Sequence, residues 1–229
     1  MSVNYESGQL APDVVRRMFD RIAPFYDAMN HTMTAGLDRR WRRLTAEAVV
    51  RPGDVVLDAC CGTGDLAVAA ARAGGRVTGL DFSEPMLERA RRKAPELEWI
   101  RGDLLELPFG DASFDAATVG FGVRNVDDLQ GALSELRRVL GADGRLGILE
   151  ITRPRGPLAP FYRLWFDGIV PLLGRLLPGG SAYTYLPASV RRFARPDELV
   201  ALMNDAGFQD VRYELFAGGI VALHAGAAA

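Results

Sequence analysis

Asp54-Val55-Val56-Leu57-Asp58-Ala59-Cys60-Cys61-Gly62-Thr63-Gly64-Asp65 is the stretch on which the fold turns. Its first half is a short, mostly apolar run set off by Pro52-Gly53, as a strand buried on both faces requires. Its second half is a glycine turn opening a helix expected from Thr63 to Arg72. The pattern then repeats. Arg76 to Leu80 reads as a second strand, and Ser83, Glu84 and Pro85 supply the N-cap and first turn of a helix reaching Lys93. Strands are predicted over Leu97 to Arg101, Phe114 to Val119 and Gly144 to Ile151, with a helix from Asp127 to Leu140 between the last two. This order predicts an α/β, doubly wound, mostly parallel sheet with its ligand at the carboxyl ends of the strands. Farther on, Pro196 to Ala206 reads as a helix stopped by Gly207. Val211 to Phe216 and Gly219 to His224 then form a hairpin about Ala217-Gly218, which completes seven strands with an antiparallel one at the C-terminus.

Composition narrows the function classes. The 229 residues, 48% hydrophobic and 24% charged, suit one globular domain. Within it, residues 1–50 are expected to form a helical substrate cap and residues 153–195 a helical insertion. A net charge of −2 offers no electrostatic footprint for nucleic acid. Met1 to Leu10 lacks the charged start and apolar run of a signal peptide, so a cytoplasmic location is expected. Cys60 and Cys61 are adjacent, and His31 and His224 are the only histidines, so neither a disulfide framework nor a metal site is expected. The longest apolar region, Pro157 to Leu177, is broken by Arg163, Asp167, Arg175, Pro160 and Pro171 and should not span a bilayer.

The chemistry begins at the glycines. They let the backbone come close to a ligand, and Asp81, ending the next strand, can accept from two ribose hydroxyls. Gly62, Gly64 and Ala67 also satisfy a dinucleotide fingerprint, so a nicotinamide or flavin cofactor is a real alternative. Charge separates the two. A pyrophosphate would meet the carboxylate of Asp65 at the helix N-terminus, whereas S-adenosylmethionine carries a sulfonium and an ammonium that Asp58 and Asp65 suit. Asp103 follows the third strand, where it can accept from an adenine amino group with Leu104 packed near the ring. The candidate cofactor residues are Asp58, Gly62, Thr63, Gly64, Asp81, Phe82, Asp103, Leu104 and Gly120. Each has a structural alternative: Asp65 as a first-turn carboxylate, Asp103 as a solvated loop residue, the cysteines as small packing groups.

Further motifs bring in a family. Phe19-Asp20-Arg21-Ile22-Ala23, Tyr26-Asp27-Ala28-Met29-Asn30, Thr34-Ala35-Gly36 and Trp41-Arg42 resemble the first signature of the methyltransferases that C-methylate the ring in ubiquinone and menaquinone biosynthesis. Arg138-Val139-Leu140 through Gly144 to Leu149-Glu150-Ile151-Thr152 is similar to their second, and Phe121 to Val126 and Tyr183 to Val190 also match. The chain departs from the pattern at Thr34 and Thr152 in place of serine, Asp38 in place of a frequent histidine, Gly141-Ala142-Asp143 in place of a Lys-Pro-Gly-like stretch, and Gly120 in place of a cofactor-contacting serine. The resemblance implies a class I S-adenosylmethionine methyltransferase fold, cofactor contacts from Thr63, Asp81, Asp103 and Leu104, and a polyprenylated quinol as acceptor. Demethylmenaquinol is the expected acceptor, with a polyprenyl-methoxybenzoquinol of ubiquinone synthesis, or another small molecule, as the alternative.

Ring C-methylation needs a neighbouring hydroxyl to lose its proton. Candidates for that chemistry are Arg124, Asn125, Tyr185, Asp27 and His31. Arg124 stays protonated, so it can stabilise a phenolate or organise a water. The alternative is that Arg124 closes a turn and Asn125 caps the helix near Asp127. Phe161, Trp165, Phe166, Ile169, Leu172, Leu173, Leu176 and Leu177 make an apolar face that could receive an isoprenoid tail at the inner face of the plasma membrane, or be core, or a homodimer contact. Two rivals stay open. An RNA or protein methyltransferase would share the cofactor site, though Gly120-Phe121-Gly122-Val123 lacks the Asn/Asp-Pro-Pro-aromatic motif of amino methylation; a non-enzymatic cofactor-binding protein would keep Asp81 alone.

Overall fold

The computed structural model describes residues 10–154, 168 and 180–228, with the side chains of 180–184 left aside. Seven strands form one sheet: β1 Val55–Ala59, β2 Arg76–Asp81, β3 Glu98–Arg101, β4 Phe114–Gly120, β5 Leu140–Ile151, β6 Phe208–Phe216 and β7 Val221–Ala228. Their spatial order is β3-β2-β1-β4-β5-β7-β6. β1 pairs in parallel with both β2 and β4, so the strand order reverses beside β1, and a crevice opens where the chain leaves in opposite directions. β7 runs antiparallel to β5 and β6 and lies inside the sheet, with β6 at the edge.

Side-chain alternation builds two cores. Val56, Val77 and Ala116 face α3 Leu37–Val49, α4 Asp65–Arg72 and α5 Glu84–Lys93. Leu57, Leu80 and Ala117 face α6 Leu129–Val139 and α8 Pro196–Asp205. Two further N-terminal helices, α1 Pro12–Ile22 and α2 Tyr26–Met33, join α7 Gly180–Arg192 above the strand ends, where Met18, Ile22 and Tyr185 share a smaller apolar cluster.

Local chemistry explains most boundaries. Ser83 caps α5 by accepting from the Met86 N–H. Helix α6 starts at Leu129 under an Asp128 cap that accepts from the Gly131 N–H at 2.9 Å, so Asn125 is not the cap but the end of a tight 3-10 turn over Val123–Asn125. β5 begins at Leu140, earlier than Gly144, and the hairpin turn extends to Ile220. The apolar face from Phe161 to Leu177 lies outside the described residues.

Candidate active site

The cofactor-side cavity sits at the ends of β1, β2 and β4. Asp81, 5% exposed, anchors it: Oδ2 accepts from the Gly62 N–H at 2.8 Å and Oδ1 from the Ser83 N–H at 2.9 Å. Burial pushes its carboxyl up to about 6, against the lowering effect of those donors. The carboxylate keeps accepting capacity beyond its backbone donors and borders the cavity together with Phe82, Gly62 and Gly120. Asp103 stands opposite, its Oδ1 accepting from the Leu105 N–H at 2.9 Å, and the neighbouring Leu104 both lines the cavity and reaches the core.

Behind the glycine loop a small recess holds Asp58 beside Tyr26, Thr63 and Gly120. Asp58 Oδ1 accepts from Thr118 at 2.7 Å, while Oδ2 is buried with no hydrogen-bond partner. Burial raises this carboxyl to about 7. An unpartnered carboxylate oxygen in an enclosed recess fits a cationic group, and with Asp81 fits the ammonium and ribose of S-adenosylmethionine. An alanine at Gly120 would place its Cβ 3.0 Å from Leu66 Cδ2, so the missing serine there leaves a tightly packed wall.

Four expected residues take other work. Gly64, in a left-handed conformation (φ +85), does not border the main cavity; a Cβ there would fall 2.4 Å from the Trp99 ring, so packing against β3 demands the glycine. The Thr63 hydroxyl donates to Asp27. Asp65 pairs with Lys93, which also binds Asp27 at 2.8 Å. Asp27 is thus a clasp between α2 and the glycine loop, and borders neither the main cavity nor the recess. Burial would raise its carboxyl, but the Lys93 and Thr63 hydrogen bonds outweigh burial and hold it below the ordinary range.

A second cavity, of about 290 Å³, lies beneath α1, α2 and α3 and meets the first at Phe19, Tyr26 and Phe121. Phe121 adopts φ +59 at the end of β4, a strained conformation held at the junction of the two cavities. The Phe121 carbonyl accepts from Arg124, whose guanidinium is paired with the buried Glu150 at 2.7 Å. Arg124 therefore both closes the turn and lines the second cavity. Met18, Ile22, Met33 and Trp41 make that cavity apolar, yet Asn30 Nδ2, Arg124 Nε and the Tyr185 hydroxyl are buried in its wall without hydrogen-bond partners, although Arg192 lies close to the tyrosine. Asn125 borders the cofactor side instead, its Oδ1 also unpartnered. His31 is on the outer face of α2 and does not line either of these two cavities.

The sequence reading overlooked Phe121, Asn30 and Glu150. For Glu150 a signal existed: one carboxylate inside an apolar strand requires a buried cation.

The ubiE/COQ5 methyltransferase family matches residues 7–228. A demethylmenaquinone methyltransferase of Thermus thermophilus is 45% identical, covering 91% of this chain and 99% of its own. A 2-phytyl-1,4-naphtoquinone methyltransferase of Synechococcus elongatus is 43% identical, covering 91% and 95%. Among solved structures, a methyltransferase from Thermotoga maritima (TM-score 0.65, 23% identity, 93% and 99% covered) and one from Aquifex aeolicus (TM-score 0.61, 17% identity, 96% and 100% covered) share the fold. The chain belongs to the ubiE/COQ5 methyltransferase family and is an S-adenosylmethionine-dependent methyltransferase.

Proposed function

We propose that the enzyme C-methylates the ring of a reduced polyprenyl naphthoquinone, with demethylmenaquinol as its acceptor. The observation that carries this reading is the pair of abutting cavities: one rimmed by carboxylates, the other apolar with buried, unpartnered polar atoms, meeting at Phe121. Relatives that act on demethylmenaquinone and on a phytyl naphthoquinone support the two-ring acceptor.

In this reading Asp81 holds the ribose hydroxyls, Asp103 the adenine edge, and Asp58 the ammonium. When bound, S-adenosylmethionine supplies an electrophilic methyl group. The protein's part is to align, to exclude water and to carry charge. Apolar walls keep the ring dry and oriented, and alignment of this kind can lower a barrier by about 7 kcal/mol or more. Arg124 Nε is free to donate to a phenolate oxygen, while Glu150 fixes the guanidinium plane and balances its charge in the absence of acceptor. Tyr185 and Asn30 supply the remaining polar contacts.

The isoprenoid tail leaves the cavity where Leu37, which lines it, is 43% exposed. Among the described residues no helix is long and apolar enough to cross a membrane. We place the enzyme peripherally on a bilayer, with the N-terminal helices as a substrate cap.

The test is methyl transfer from labelled S-adenosylmethionine to reduced demethylmenaquinone and, in parallel, to a reduced polyprenyl-methoxybenzoquinone. Label in the naphthoquinone alone is expected. Label in the benzoquinone alone would move the enzyme to ubiquinone synthesis, and label in neither would refute a quinol acceptor.

A further inference from the structure

The wall of the acceptor cavity is thin at Asp38. This residue lines that cavity and also the open, charged groove bordered by α2, α3 and α4, and among the described residues it alone lines both. It is 3% exposed, held at 3.5 Å by Arg42 on one oxygen and at 3.0 Å by the Thr34 hydroxyl on the other. On the groove side stands His31, its side chain half exposed and its Nδ1 3.8 Å from Asp38 Oδ1. Gly36 keeps the ring there: its φ is +78, and a Cβ would lie 2.9 Å from His31 Cε1.

Thr34 makes the site tolerant of either charge on Asp38. Its hydroxyl lies 3.0 Å from the carboxylate and 2.7 Å from the Asn30 carbonyl, and it has one proton to give. It donates to Asp38 when the carboxylate is charged. When Asp38 is protonated, the acid donates to Thr34, which then donates to the Asn30 carbonyl. Among the described residues Asp38 is the one carboxylate lining this cavity; Arg124 is tied to Glu150, and burial pushes the Tyr185 phenol above its ordinary value.

Resting on the methyl-transfer reading, we propose that Asp38 is the proton acceptor of the acceptor cavity and that His31 passes the proton to solvent. The quinol O–H bond breaks and its proton joins an Asp38 oxygen. The electron pair stays with the ring, whose carbon forms the new bond to the methyl as the methyl–sulfur bond breaks toward sulfur. The proton then lost from that ring carbon restores the hydroxyl, so one proton per turnover leaves by way of Asp38 and His31.

The experiment compares Asp38→Asn, Asp38→His and His31→Gln with wild type for turnover of reduced demethylmenaquinone, and titrates S-adenosylhomocysteine into each. Asp38→Asn should lose about 100-fold or more in kcat with cofactor affinity retained. Asp38→His, whose imidazole also accepts a proton, should exceed Asp38→Asn, and the exposed His31→Gln should be slowed and restored by added imidazole. Wild-type turnover by Asp38→Asn, no advantage of Asp38→His over it, or no imidazole response would overturn the proposal. A wild-type enzyme that methylates no quinol would overturn the underlying reading too, and is told apart by the wild-type arm.

Discussion

On the cofactor side of Phe121, the rim carboxylates are held by backbone N–H groups of the loops at the strand ends: Asp81 by Ser83 and by Gly62, nineteen residues earlier, and Asp103 by Leu105. On the acceptor side, Asn30, Arg124 and Tyr185 come from three distant segments and leave polar atoms unpaired in an apolar wall. A polar cofactor of fixed shape is met by groups that backbone hydrogen bonds set in advance. An apolar acceptor with few polar atoms is met by side chains whose unpaired donors cost stability until the acceptor arrives.

The largest expected effect falls where the two sides join. Glu150→Ala leaves Arg124 buried without its counter-charge and should lower stability by about 3–5 kcal/mol in denaturant unfolding. An unchanged midpoint would mean that the Phe121 turn does not depend on this pair. Next is Asp81→Ala, which removes the proposed ribose acceptor and two loop anchors; titration should show S-adenosylhomocysteine affinity reduced about 100-fold.

The pH dependence is smaller. Burial raises Asp81 to about 6 and Asp58 to about 7, above the ordinary value of 3.8. Carboxyls raised in the fold bind protons more readily there than in the unfolded chain, so these two groups add stability as pH falls through about 7 and about 6. The proposed cofactor contacts need both ionised, so affinity should fall about tenfold or more from pH 8 to pH 5. Calorimetry at the two pH values checks this, and a flat profile would remove Asp58 and Asp81 as cofactor ligands. The mildest change is Tyr185→Phe, which deletes a buried hydroxyl with Arg192 as a loose polar neighbour. Thermal stability should hold, while acceptor KM rises about fivefold, the worth of one hydrogen bond.

The same contrast explains what the sequence made legible. The strand order, Ser83 cap, Asp81 and Asp103 follow from local spacing, because each stands at a strand end or helix start that the neighbouring residues mark. Gly64 fitted the fingerprint for a different reason, since Trp99, thirty-five residues later, presses on it. For Asp27 and His31, helical phase decides where they stand. Tyr26, Met29, Asn30 and Met33 recur at i, i+3, i+4 and i+7 and line the acceptor cavity. Asp27 and His31 sit about 100° round the helix from that face, pointing outward. The phase was readable; the inward direction of that face was not, because it depends on packing against Tyr185, more than 150 residues away.

The division at Phe121 is tested most directly by measuring S-adenosylhomocysteine affinity and acceptor KM together on Asp81→Ala and Tyr185→Phe. The first variant should lose cofactor affinity, and the second should raise acceptor KM with cofactor affinity unchanged. Loss of cofactor affinity in Tyr185→Phe, or an acceptor KM insensitive to it, would contradict the assignment of the two cavities.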